Sequence, residues 1–131
     1  MRILTAILFM LLFVSRTESQ FIIDLPPQAP PLPDVTVELK DVIDILTEYN
    51  VVLEDNPSFC SMFYGMTDYQ ARTISICAIY EITQRRRTVL HEIMHIVYWQ
   101  KGIETGGPYE EQIQERADRL FYKLYGIPPG V

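Results

Sequence analysis

Positive charge, cysteine and histidine are all scarce in this sequence, and each shortage narrows what the chain can be. Eleven Lys and Arg stand against 17 Asp and Glu, for a formal net charge of -6. Nucleic-acid recognition needs a basic surface, so no nucleic-acid partner is expected. Only two cysteines occur, Cys60 and Cys77, and they are not spaced as C-x-x-C, which removes a zinc knuckle. They read either as two buried free thiols or, if the chain is exported, as a disulfide. No 20-residue period is visible, which argues against a repeat architecture. With 131 residues the chain has room for one domain and one core.

A long apolar run is missing too. The segment from Ile3 to Val14 is apolar except for Thr5. As a helix it would reach roughly 18 Å, against a bilayer core of about 30 Å. Met1-Arg2 before it and the polar stretch Ser15 to Gln20 after it give the three regions of a secretory signal peptide, with Thr17-Glu18-Ser19 at the cleavage spacing. Residues 1–19 are therefore predicted to be a leader; an uncleaved anchor and a buried N-terminal helix are the alternatives. Cleavage would make the protein periplasmic or extracellular, with no stable membrane insertion. Without cleavage it would be membrane-anchored or cytoplasmic. Residues 20–33 contain Pro26-Pro27-Gln28-Ala29-Pro30-Pro31-Leu32-Pro33, an extended semi-rigid spacer or a segment for an aromatic groove. The folded domain is placed at residues 34–131.

Within that domain Val42, Ile45 and Leu46 recur at helical spacing, predicting an amphipathic helix from Val37 to Tyr49. Val51 to Leu53, Ser61 to Met66 and Thr73 to Tyr80 read as three strands, the last two joined by a loop at Thr67 to Ala71. A hairpin centred near Asp68 or Tyr69 would set Cys60 and Cys77 nearly opposite each other. Thr83 is the expected N-cap of a helix running to about Gln100, broken by Gly102 and Gly106-Gly107. Pro108 opens a last helix that ends near Tyr125, with Gly126 as its stop and Ile113, Ala117, Leu120, Phe121 and Leu124 on one face. The expected fold class is α+β: a three-stranded sheet packed on one central helix and further helices.

The chain's only two histidines stand four apart, in His91-Glu92-Ile93-Met94-His95. On a helix they are separated by roughly 40° of rotation, so both imidazoles can reach one ion, with the Glu92 carboxylate beside them as a base. The surrounding residues Val89, Leu90, Ile93, Met94, Ile96, Val97, Tyr98 and Trp99 predict a buried helix, and buried polar groups need partners. The plainer reading is two core histidines bonded to backbone or tyrosine groups. A third ligand must come from the next helix. Glu110 shares a stripe with Ile113, Ala117 and Phe121, whereas Glu111 lies about 100° further round. Both stay open, Glu110 being favoured by geometry; acids at a helix start also suit the macrodipole with no metal at all. Arg85-Arg86-Arg87 could hold an acidic segment or be a solvated face paired with Glu81. Tyr109 could donate to an oxyanion or simply pack.

The run Arg72-Thr73-Ile74-Ser75-Ile76, then Arg87-Thr88-Val89-Leu90 into H-E-x-x-H, then Glu110-Glu111-Gln112-Ile113 and Ala117, resembles the minimal gluzincins. These are phage- and mobile-element-associated metallopeptidases related to the ImmA/IrrE-like family. The likeness spans roughly Val37 to Tyr125, and its specific part is H-E-x-x-H plus the short acidic helix. It implies a small zincin-like domain with the sheet edge over the active-site helix, a zinc cofactor (Zn2+) and hydrolysis of a peptide or protein substrate. By position His91, His95 and Glu110 match metal ligands and Glu92 the catalytic base. An extended substrate would then lie along an edge strand at Thr73 to Ile76. Two features depart from the pattern: Gln114 stands where larger relatives carry Glu, and a secretory leader is unusual for such peptidases. The alternative function is a catalytically inactive zincin-like adaptor or phage accessory protein that keeps the metal site.

Overall fold

The computed structural model describes residues 29–126. The expected leader, the linker residues 20–28 and residues 127–131 lie outside the described residues. The elements run α1 (Leu39–Glu48), β1 (Asn50–Glu54), α2 (Pro57–Met62), β2 (Gly65–Asp68), β3 (Thr73–Cys77), α3 (Ile82–Gln100), a 3-10 turn (Gly107–Tyr109) and α4 (Glu110–Tyr125). The fold class is α+β, with a three-stranded mixed sheet and four helices among the described residues.

α1 opens on a reciprocal cap: the Glu38 N–H donates to Asp41 Oδ2 at 2.8 Å, and the Glu38 carboxylate accepts from the Asp41 N–H. Its Val42 and Ile45 are buried as the periodicity predicts, but Leu46 is 40% exposed. The strand expected at Ser61 to Met66 is displaced. Asn56 caps α2 by accepting the Ser58 N–H at 2.9 Å, and Pro57 occupies its first turn. Six residues are too few for helical periodicity to declare itself, and the aromatic content of this stretch imitates a strand. β2 therefore begins only at Gly65.

The strand order is β1-β3-β2, with β1 parallel and β2 antiparallel to β3. β3 is central, so Thr73 to Ile76 cannot be the edge that the sequence suggested; β2 is the edge that lies against α3. The burial of Ile74, Ile76 and Cys77 fits a strand with neighbours on both sides. β3 also stops at Cys77 rather than Tyr80. Cys60 and Cys77 form a disulfide with a Cα–Cα distance of 5.4 Å. It ties helix α2 to the end of β3, not strand to strand across the hairpin.

α3 starts one residue before the expected cap: Glu81 holds the N-cap position without a side-chain bond, and Thr83 is already helical. From Leu90 to Tyr98 every residue but His91 is buried. Gly102 closes the helix at φ 78°, a left-handed conformation that suits glycine. α4 packs on α3, and its Ile113, Ala117, Leu120 and Phe121 are buried. Arg86 and Arg87 sit over the rings of Tyr125 and Phe121, at 5.5 and 4.7 Å from their centroids, which gives the arginine turn a packing role against α4. The end of the proline-rich segment is extended and docked. Leu32 is buried, its N–H donates to Gln112 Oε1 at 2.8 Å, and the Tyr98 hydroxyl donates to the Pro33 carbonyl at 2.6 Å.

Candidate metal centre

Three side chains from two helices converge at one point. His91 and His95 project from the same face of α3, and Glu110 enters from the first residue of α4. His95 Nε2 lies 3.2 Å from His91 Nε2, and the Glu110 carboxylate oxygens lie 2.9 Å from His91 Nε2 and 3.1 Å from His95 Nε2. Ligands about 2.05 Å from a tetrahedral ion stand roughly 3.3 Å apart, so this spacing fits a single metal ion. Glu111 lines the same cleft but is not part of the cluster, and Glu115 pairs with Arg119.

The outer contacts decide which ring nitrogens face inward. Gln114 Nε2 donates to Asp118 Oδ1 at 2.9 Å, which leaves Gln114 Oε1 as an acceptor 2.9 Å from His91 Nδ1. His91 Nδ1 therefore carries the proton and donates, and its Nε2 presents a lone pair to the cluster. His95 Nδ1 stands 2.6 Å from Thr105 Oγ1, and Thr105 is itself buried. When Nδ1 donates to the Thr105 hydroxyl oxygen, His95 also offers Nε2. The result is two lone pairs and a carboxylate facing one another, an arrangement that calls for a cation between them. Gln114, read from the sequence as a departure from a ligand pattern, is a support for a ligand.

Glu92 is buried on the next face of α3, and Oε2 accepts the Thr67 hydroxyl from β2 at 2.8 Å. Burial pushes its carboxyl above the usual carboxylate range; the Thr67 bond and His91 oppose that shift. Burial likewise lowers His95 and favours the neutral imidazole that a metal needs, with Glu110 opposing. Tyr69 stacks on Trp99 at 4.4 Å between centroids and an angle of 14°. Its hydroxyl is pushed up to about 12, by burial first and by the charge of Glu92 next, so it stays a donor. Tyr109 packs half-buried against the core and does not line the cleft.

The cluster forms the floor of an open cleft. The cleft is lined also by Met62 to Thr67, by Glu110, Glu111, Gln114 and Asp118 of α4, and by Tyr69 and Trp99. Thr67, Thr105, Tyr69 and Trp99 were not singled out as site residues by sequence. Threonine and tyrosine carry no spacing signal, and only the fold brings them to the histidines. Among the described residues no helix is long and apolar enough to cross a membrane. No family model matches the sequence, and comparisons with curated proteins and with solved structures found no match.

Proposed function

We propose that the chain is a zinc-dependent peptidase of the gluzincin type, acting on peptide bonds at the His91–His95–Glu110 centre. The observation that carries the reading is the buried Glu92 carboxylate, held by Thr67 in the same cleft as three converging ligands. A purely structural metal site has no use for a fourth, buried acid beside it, and closes with four protein ligands. Here three ligands leave room on the cleft side, where Glu110 is half exposed.

His91 and His95 would hold the ion through Nε2, and Glu110 through its carboxylate. A bound zinc supplies Lewis-acid polarisation of a carbonyl and acidifies a nearby water. Glu92 would take the proton of the attacking water at Oε1 and pass it to the departing amine. Tyr69, a protonated phenol that lines the same cleft, would be a donor for a developing oxyanion. The substrate would be an extended peptide on the β2 edge, not on β3. The acidic net charge again speaks against nucleic acid.

The test compares wild type with Glu92→Gln for zinc content and for cleavage of a mixed decapeptide library. Wild type is expected to bind one zinc and cleave, and Glu92→Gln to keep the zinc while losing about 100-fold or more in rate. Equal cleavage by both would remove Glu92 from the chemistry. Zinc binding with no cleavage by either would identify a non-catalytic metal domain.

A further inference from the structure

The free edge of the sheet carries a linkage that the metal centre alone does not explain. In an antiparallel pair, hydrogen-bonded and non-hydrogen-bonded residue pairs alternate. The Cys77 N–H donates to the Tyr64 carbonyl at 2.9 Å, which makes Tyr64 and Cys77 a hydrogen-bonded pair. Gly65 is opposite Ile76, Met66 opposite Ser75 and Thr67 opposite Ile74. The alternation then assigns Gly65 and Thr67 to non-hydrogen-bonded pairs, so their N–H and C=O groups point away from β3. β2 is the last strand of the sheet, and both residues line the cleft.

Their side-chain positions face the other way from Met66, toward α3. A Cβ built on Gly65 would stand 2.6 Å from Thr88 Cγ2, and the Thr67 hydroxyl donates to Glu92 Oε2 at 2.8 Å. Thr67 therefore offers its main chain to the cleft and its side chain to the buried acid.

From this we infer that Thr67 is a positioning residue that couples docking of an extended peptide to the orientation of Glu92. A peptide paired with the Gly65 and Thr67 main chain fixes that strand against α3. The Thr67 hydroxyl then holds Glu92 Oε2 and leaves Oε1 for the proton. The substrate class is a segment able to lie extended for at least three residues, such as an unfolded chain or a loose loop. A small amide cannot make the same strand contacts. This inference rests on the peptidase reading.

The experiment has two arms and uses the zinc-loaded full chain. In the first, Thr67→Val and Thr67→Ser are compared with wild type on the best-cleaved peptide of the decapeptide library. Thr67→Val keeps the branched shape and the main-chain donor but loses the hydroxyl. It is expected to lose tenfold or more in kcat with KM and zinc affinity within about twofold of wild type, and Thr67→Ser is expected to recover most of the loss. In the second arm the same peptide is added to Glu92→Gln, and exchange of the Gly65 and Thr67 amides is expected to slow by tenfold or more. Wild-type kcat in Thr67→Val, failure of Thr67→Ser to recover, or unchanged amide exchange would each overturn the role of Thr67 while leaving the peptidase intact. A library left uncut by wild type would overturn the peptidase reading itself, and this inference with it.

Discussion

At the scale of single residues, both histidines of the candidate centre and the acid beside them have a neutral partner: Gln114 for His91, Thr105 for His95, Thr67 for Glu92. An amide or a hydroxyl orients a ligand without adding negative charge, unlike the carboxylates that often support metal-bound histidines. One zinc competition titration ranks the contributions. Glu110→Ala removes a ligand and is expected to weaken binding by more than about 100-fold. Gln114→Leu removes a support, which typically costs about 10- to 100-fold. Glu111→Ala touches neither and is expected to stay within about threefold. A Glu111→Ala loss larger than that of Glu110→Ala would mean that α4 enters with another rotation. His91, Glu92 and His95 were legible because their chemistry is written at a fixed helical spacing. Glu110 was legible because Ile113, Ala117 and Phe121 declare which side of α4 turns inward. Thr67 and Thr105 were illegible, since a threonine becomes a site residue only through a contact that spans 25 residues in one case and a glycine-rich loop in the other.

At the scale of elements, β2 packs tightly on α3 at Gly65. A Cβ at Gly65 would meet Thr88 Cγ2 at 2.6 Å and both Ile76 Cδ1 and the Ser75 carbonyl at 3.1 Å. Gly65→Ala must displace the buried Thr88 side chain or push β2 off α3, and such overpacking costs roughly 1–3 kcal/mol. The expected outcome is a lower urea midpoint together with slower cleavage, because the displaced strand carries Thr67. An unchanged midpoint would show that Thr88 yields without cost. The helices were read closely from their periodicity and glycine stops, whereas the sheet was not. Strand order depends on contacts distant in sequence, and nothing local in Thr73 to Ile76 distinguishes a central strand from an edge. The short helix α2 was missed for a different reason: Phe59, Phe63 and Tyr64 weigh toward a strand, and the Asn56-Pro57 start signal that outranks them is only two residues long.

For the whole molecule, one covalent cross-link and one candidate metal cross-link brace elements that line the cleft. The His91–His95–Glu110 cluster joins α3 to α4, while the Cys60–Cys77 bond joins α2 to β3. If zinc is held in the native state alone, a 1,000-fold excess over its Kd adds about 4 kcal/mol of stability. A domain of about 100 residues gains roughly 4–8 °C in Tm per kcal/mol. Chelation is thus expected to lower Tm by about 15 °C or more in a scanning melt, reversed by adding zinc; an identical Tm with and without chelator would mean that no ion ties the helices. A bound metal and the disulfide would also differ in what undoes them. A chelator would release the α4 side of the groove and a thiol reductant the α2 side that leads into Met62, Phe63 and Tyr64. With an ion bound, the width of the groove would answer to two separate properties of its surroundings, the supply of metal and the oxidising power of the compartment, and it would stand fully braced only where both are met.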